Sequence, residues 1–513
     1  MDDSATTQAD WGPFGRPLFD DASVRALSRV GVVDVGSNSV RLVVFDGAAR
    51  SPAYFYNEKI LCGLGAGFAE TGRLNPEGRT RALAAIRRFQ LLARGMKLAP
   101  LTAVATAAVR EAADGPEFRD EVLRETGLEL YVIDGTEEAR LSAQGVLLGW
   151  PDAAGLVCDI GGSSMELAQV AGGTVGQRLT SPLGPLKLTG IPGGKTGLRR
   201  HVEAIVDDLA ARIGTDHKRM FLVGGSWRAI ARLDMLRRSY PLPVLHEYRM
   251  KPRELSRTLT WIGLSDLDSL RKQTGTSAAR MNLVPTAAVV LSALMRRFRP
   301  RELAVSSYGI REGLLYEQMP DRLRRRDPLI EACLFAEKKD ARMPGAGKGL
   351  YDFLMPLYRT TGPARQRLIK AACLLHDVSW RAHPDFRHEV CFEYATRANL
   401  GGLTHAERVF LGLALLYRYK NSRAGSPHAQ LFSLLGAEEM HQAEVLGKAM
   451  RFGAMFAVDR PADKAALNWH PRTRALHLKV RPEARDLFGE VAEARLGALA
   501  HALNATVKVT IGA

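Results

Sequence analysis

A stretch of twelve residues recurs, without a gap, 125 positions further along the chain. The first copy runs Gly31-Val32-Val33-Asp34-Val35-Gly36-Ser37-Asn38-Ser39-Val40-Arg41-Leu42, and the second Leu156-Val157-Cys158-Asp159-Ile160-Gly161-Gly162-Ser163-Ser164-Met165-Glu166-Leu167. Each reads as a strand, a tight Gly/Ser turn and a second strand, because β-branched and apolar residues flank a short run of turn formers. One such hairpin in each of two successive α/β segments predicts two related lobes facing each other across a cleft. The shared Asp-x-Gly-x-x-Ser core inside apolar flanks makes chance the minority explanation.

The turns carry the first chemical hint. A strand entering a tight turn exposes backbone N–H groups that no ladder partner uses, which makes an anion-binding nest. Gly36, Gly161 and Gly162 would permit positive φ and a close backbone approach to phosphate. Ser37, Asn38, Ser39, Ser163 and Ser164 would add donors. An ordinary hairpin could use the same residues merely to turn; the matched pair favours phosphate. Each turn follows an aspartate at a strand end, Asp34 and Asp159, and the second adds Glu166 on its outgoing strand. Carboxylates beside a phosphate nest would repel the ligand unless a cation lies between them. Mg²⁺ suits that place, since it takes one or two carboxylates together with phosphate oxygens. Asp159, Glu166 and Asp34 are therefore the predicted metal residues.

A third glycine turn, Val223-Gly224-Gly225-Ser226-Trp227, follows the apolar run at 220–223 and opens a predicted helix that continues to about Arg232. Helix N–H groups there could face an anion, although close strand–helix packing explains the glycines almost as well. Gly190-Ile191-Pro192-Gly193-Gly194-Lys195-Thr196 imitates a Walker A loop, but position 189 is Thr where the motif needs Gly, and no clear strand precedes it. It reads as a loop.

The catalytic carboxylate is sought in Ile133-Asp134-Gly135-Thr136-Glu137-Glu138-Ala139-Arg140-Leu141, where a strand gives way to a helix. Asp134 and Glu137 have capping-box spacing, and both glutamates favour the helix dipole. Capping accounts for Glu137. Glu138 is not needed for the cap and is the better candidate to deprotonate a water. Arg110 follows another predicted strand end, and its planar, permanent charge suits phosphoryl oxygens in a transition state.

Taken together, Asp34–Ser39, Ala105-Thr106 with Val109–Ala112, Glu137–Leu141, Asp159–Ser164 with Glu166, Val223–Gly225 and Gly309-Ile310-Arg311-Glu312-Gly313 resemble the exopolyphosphatase/guanosine pentaphosphate phosphohydrolase family. Their order and spacing agree over about residues 30–315. The resemblance implies two actin-like, ribonuclease H-like lobes with phosphate and Mg²⁺ between them, Glu138 as catalytic base, Asp159 at the metal, and a homodimer. Two positions depart from the family's Asp-x-Gly-Gly-Gly-Ser-Thr-Glu hairpin: Ser163 replaces the third glycine and Met165 the threonine. Enough donors remain for phosphate.

At 513 residues the chain exceeds one hydrophobic core. Residues 1–28 read as a flexible leader, 29–143 and 144–320 as the two α/β lobes, 326–460 as an all-helical domain and 471–513 as a small β-α-β unit. The helical domain resembles HD-type metal phosphohydrolases in His376-Asp377. A working site of that type needs an upstream His, and none lies between His246 and His376, so the pair reads as a remnant. Five scattered cysteines without CxxC spacing argue for reduced thiols. Neither a signal peptide nor a long apolar span is legible, which points to the cytoplasm and to no membrane partner.

Lys and Arg number 71 against 55 Asp and Glu, for a net charge of +16, and residues 321–513 carry 30 of the bases against 20 of the acids. A polyanionic partner follows from that excess, with inorganic polyphosphate favoured, guanosine pentaphosphate the alternative and nucleic acid not expected. The sequence reading is an exopolyphosphatase. A sensor that binds without hydrolysing is the alternative from another class, and Glu138 speaks against it.

Overall fold

The computed structural model describes residues 29–46, 50–98, 101–317 and 319–512, so the leader expected at 1–28 lies outside the described residues. The chain divides into two compact units that meet in sequence at Arg326 and Asp327.

The first unit is the repeat made visible. Strands β1 (Arg29–Val35), β2 (Ser39–Asp46), β3 (Ala53–Leu61), β4 (Thr102–Ala105) and β5 (Leu130–Val132) form one sheet in the order β3-β2-β1-β4-β5. Strands β6 (Gly155–Ile160), β7 (Met165–Ala171), β8 (Thr174–Ser181), β9 (Arg219–Gly224), β10 (Arg249–Met250) and β11 (Glu302–Val305) form a second, in the order β10-β11-β9-β6-β7-β8. Apart from the antiparallel edge strand β10, the two orders are the same, with an antiparallel hairpin continuing into parallel strands. The repeat matches residue for residue. Asp34 lies opposite Arg41 in the first hairpin and Asp159 opposite Glu166 in the second. In both turns the first glycine N–H donates to the Ser carbonyl three residues on, Gly36 to Ser39 and Gly161 to Ser164, each at 3.0 Å.

Helix α1 (Gly135–Gly149) lies between the sheets. Its cap is the one the spacing predicts, with the Asp134 carboxylate accepting from the Glu137 N–H at 2.8 Å. The expected lobe boundary at 143/144 falls inside this helix, because its apolar residues bury continuously from Ala139 to Gly149 and no break in packing occurs there. Helix α2 (Gly225–Arg237) runs past the expected end at Arg232, its buried face continuing through Leu233, Asp234 and Met235. Helix α3 (Ile310–Glu317) crosses α1 backbone to backbone: a Cβ at Gly145 would strike the Gly309 carbonyl, and one at Gly313 would strike that of Leu141. The helices run antiparallel there, so the start of α3 lies beside Gly145 and its end, at Glu317, beside Arg140 near the start of α1. The Walker-like segment is a loop through Gly193, after which Lys195 and Thr196 enter the helix Gly194–Ile213.

The second unit is helical and then mixed. Helices α4 (Pro363–Leu375), α5 (His405–Tyr419) and α6 (Ala437–Phe456) bury long apolar faces, and α5 opens on a complete capping box between Thr404 and Glu407. The final sheet has three strands, β12 (Ala465–His470), β13 (Ala475–Val480) and β14 (Thr506–Ile511), with helix α7 (Glu490–Leu503) linking the parallel pair β13 and β14. Strand β12 begins ahead of the boundary expected at 471; its Ala-Ala-Leu-Asn-Trp-His carries little β-branched character, and pairing with β13 holds it. All five cysteines are buried and free.

Candidate active site

The two hairpin turns and the start of α1 converge on one cavity of about 240 Å³. Its wall includes Asp34, Gly36, Ser37, Asn38 and Ser39 from the first lobe and Asp159, Gly161, Gly162, Ser163 and Ser164 from the second, with Glu138 between them. The lobes touch here. The Ser37 and Ser163 hydroxyls lie 3.2 Å apart, and Lys187 donates to Glu111 across the same cleft at 2.6 Å.

The turn glycines act differently from expectation. Gly36, Gly161 and Gly162 keep ordinary backbone angles and are absent from the positive-φ glycines. Their missing side chains matter instead through space. A Cβ on Gly162 would come within 3.0 Å of a Leu186 methyl and 3.6 Å of Ser37, while Gly36 and Gly161 leave bare backbone on the cavity wall.

Glu138 is buried, and the Arg110 guanidinium donates to its Oε2 at 3.3 Å while also binding the Ile133 carbonyl at 2.8 Å. Burial raises the Glu138 carboxyl to about 8, against the attraction of Arg110 and with repulsion from Asp159 and Asp34 added. Such a value suits a base working near neutrality. Glu137, by contrast, ion-pairs with Arg140 on the helix surface. Asp159 is pushed up by burial, although Ser142 donates a short hydrogen bond to it. Burial also raises Asp34, opposed by Arg311.

Two predicted residues are not on the wall. Arg110 reaches the site through Glu138. Glu166 lies under the helix, nearly inaccessible, accepting from Thr180 at 3.1 Å, and its Oε2 has no hydrogen-bond partner. Burial and the nearby Glu138 and Asp159 hold it well above the ordinary carboxyl range. Its assignment as a direct metal ligand is therefore corrected: the pleat places it opposite Asp159, but α1 covers it. Among the described residues no three His, Cys, Asp or Glu side chains converge as a ready-made metal centre.

The largest omission of the sequence reading is positive charge. Arg41, Lys59, Arg228, Arg280 and Arg311 all line the cavity. Arg41 and Lys59 are cross-strand neighbours. The Arg311 Nη1 is buried without a hydrogen-bond partner, although its Nε lies 3.9 Å from Asp34. Enclosure and mutual repulsion lower Arg41 and Arg228 to about 10. Arg41 and Arg311 stood inside motifs already singled out; Lys59 and Arg280 sit in no motif, and only the fold brings them here.

Two α/β lobes of like strand order meeting at a cation-lined cleft with a buried carboxylate are the features of a phosphate-handling protein. The Ppx/GppA phosphatase family model matches residues 43–322, and a second model, exopolyphosphatase C-terminal, matches residues 356–509. The chain belongs to the Ppx/GppA phosphatase family. Exopolyphosphatase 1 of Mycobacterium tuberculosis is 30% identical over 305 residues, covering 57% of this chain and 88% of that one. A guanosine-5'-triphosphate,3'-diphosphate pyrophosphatase of Aeromonas hydrophila is 23% identical, covering 82% and 86%. The crystal structure of an exopolyphosphatase from Cytophaga hutchinsonii shares the fold at a TM-score of 0.51 and 24% identity, covering 56% of this chain and 97% of that one.

Proposed function

We propose that this phosphatase removes the terminal phosphate of inorganic polyphosphate, with Glu138 as the base. The observation that carries the substrate choice is the cavity wall: five cationic side chains and, among the described residues, no Phe, Tyr, Trp or His. A linear polyanion needs cations along its length. A guanine would be expected to find an aromatic ring beside it, in addition to guanidinium groups that serve phosphates equally well.

In this reading the terminal phosphate sits against the turns at 36–39 and 161–164, where backbone N–H groups and hydroxyls donate hydrogen bonds to its oxygens. Glu138 takes a proton from a water aligned opposite the leaving oxygen, and Arg110 orients the carboxylate. Arg311 offers its unpaired N–H to charge building on the transferred group. Asp34 and Asp159 both raise the charge cost of Glu138, and Asp34 that of Asp159, a crowding that fits a divalent cation. Mg²⁺ held by Asp159 and Asp34 would neutralise phosphate oxygens when bound.

In the second unit, the HD-type reading is that of a frame without its metal chemistry. Arg342 grips Asp377 with Nε at 2.9 Å and Nη2 at 2.6 Å, and His376 Nδ1 is engaged with the Cys373 carbonyl at 2.7 Å.

The test is phosphate release from long polyphosphate and from guanosine pentaphosphate, side by side with Mg²⁺. Faster release from polyphosphate is expected. Preference for guanosine pentaphosphate would transfer the reading to the activity in the Aeromonas relative's name, and binding of either without release would make the protein a sensor.

A further inference from the structure

The second unit holds a buried charge that nothing around it neutralises. Arg418 stands in the last turn of α5, only 7% exposed, and its guanidinium makes no hydrogen bond or ion pair with any described residue. What it faces is the Tyr419 ring, 4.9 Å from Cζ. The acid that attracts it, Asp377, is already gripped by Arg342, and the Tyr419 hydroxyl donates to the His376 carbonyl at 2.9 Å. His376 offers no negative charge, and burial followed by the charge of Arg418 holds its pKa down to about 4. A cation at this end of a helix would be explained by the last carbonyls of α5, but none of them accepts from Arg418. Two more arginines face the same place. Arg451 of α6 donates to Asn421, just past α5, at 2.6 Å; burial and the charges of Arg495 and Arg418 lower it to about 10. Arg495 of α7 has a buried Nε without a hydrogen-bond partner. Helix α6 packs against both α5 and α7, and so brings the three guanidinium groups within reach of one another's charge. None of the three forms an ion pair among the described residues. Burying an unpaired charge is costly, and arginine cannot shed its proton to avoid the cost.

We infer that Arg418, Arg451 and Arg495 form an anion site inside the second unit, at the end of α5, that takes one small tetrahedral oxyanion of the inorganic phosphate class. The occupant has to be small, because a guanidinium exposed by 7% leaves no face on which a protein or nucleic acid could rest. It has to carry more than one negative charge, because three cations share it. Phosphate, multiply charged near neutrality and with acceptors on every side, meets both needs and suits the planar fork of arginine. The site lies wholly in the second unit and does not depend on which substrate the cleft of the first unit takes. Since a ligand that binds only the folded form stabilises it, the second unit should become firmer as free phosphate accumulates.

Equilibrium dialysis of orthophosphate against the full chain counts the sites. Arg418→Met, which keeps a long side chain and removes the charge, should lose one bound phosphate per chain. Arg311→Ala, which alters the cleft of the first unit, should keep that phosphate. Arg451→Gln, at a partly exposed position, should weaken the site about tenfold or more, the scale of a lost charged contact. Melting gives a second readout. In phosphate-free buffer Arg418→Met should melt no lower than the parent, because an apolar side chain replaces an unpaired buried charge. Added phosphate should then raise the melting temperature of the parent more than that of the variant. An equal phosphate count in the parent and Arg418→Met, parent-like affinity in Arg451→Gln, or lower melting of Arg418→Met in phosphate-free buffer would each overturn the proposal. A dimer that falls apart in Arg418→Met, with no change in bound phosphate, would overturn it too and give the arginines to an interface between copies of this chain.

Discussion

The two copies of the hairpin share a backbone and differ in charge. Both carry Asp at the end of the incoming strand, and both close the same 3.0 Å turn. At the residue opposite that Asp, the first copy has Arg41 and the second Glu166. Arg41 opens onto the cavity beside Lys59; Glu166 is sealed under α1, where burial raises its carboxyl pKa. Duplication supplied the frame, and divergence at one register position polarised it. The reversal is local to that position, since the cavity wall draws cations and carboxylates from both lobes: Arg41, Lys59, Asp34 and Glu138 from the first, Arg228, Arg280, Arg311 and Asp159 from the second.

The sharpest way to probe that polarity is at its centre. Glu138→Gln should reduce hydrolysis by about 10²–10⁴-fold, the usual contribution of a positioned base, with polyphosphate binding nearly intact. Glu137→Gln should cost little, since its carboxylate pairs with Arg140 on the helix surface. Like behaviour in the two variants would show that the base is misassigned. The same change should stabilise the protein at alkaline pH. A carboxyl raised to about 8 by burial keeps its proton when folded after the unfolded chain has lost it. Stability therefore falls as pH climbs from the ordinary carboxyl range towards 8. Melting temperatures should show Glu138→Gln above the parent at pH 8 and close to it at pH 4.

Copying the second hairpin into the first is the next largest change. Arg41→Glu would place an acid at both register positions. It should lower kcat/KM for polyphosphate by about 100-fold, the sum of a lost charged contact and a new repulsion. Arg41→Ala should lose less. If Arg41→Glu and Arg41→Ala are equivalent, the charge at this position does not set the polarity.

A pH profile separates the two sides without changing either sequence copy. Glu138 is active only when deprotonated, above about 8, and Lys59 attracts anions only when protonated, below about 8. The profile of kcat/KM should therefore be a narrow bell near pH 8. Lys59→Arg keeps its charge to far higher pH and should extend the alkaline limb while leaving the acid limb in place. A profile indifferent to that substitution would remove Lys59 from substrate binding.

Much of this frame was legible because the repeat is local. Apolar flanks, turn residues and capping spacing lie within a dozen positions, so both hairpins, the Asp134 cap and the place of Glu137 in the capped turn could be read from neighbours in the chain. The cationic wall was not legible in the same way. Lys59 is placed by pairing with Arg41, and Arg280 by the space above Gly225, and both relations join residues far apart in sequence. Glu166 misled for the converse reason. Its strand register puts it beside Asp159, and only the packing of α1 decides that it is covered. The glycines were expected at positive φ, yet none of 36, 161 and 162 adopts it, and only at 162 would a side chain meet a close neighbour, the Leu186 methyl.

The smallest expected effect lies where the hairpins touch. Position 163 corresponds to Asn38 in the first copy, and its hydroxyl lies 3.2 Å from that of Ser37. When a phosphate enters, each hydroxyl exchanges its contact with the other for one with a phosphate oxygen, so the net gain is that of one ordinary hydrogen bond, about 1 kcal/mol. Ser163→Gly removes one donor and adds backbone freedom costing roughly 0.5–1 kcal/mol. Both losses fall on binding the ground state, because the group transferred keeps its place in the turn as the bond breaks. KM should therefore rise about ten- to thirtyfold with kcat nearly unchanged. Ser163→Asn, which repeats the first copy, should restore a donor and recover most of the loss. Steady-state kinetics of the two variants on polyphosphate decides it: a fall in kcat with unchanged KM would mean that this hydroxyl acts on the transition state, and that the second turn is more than a cradle.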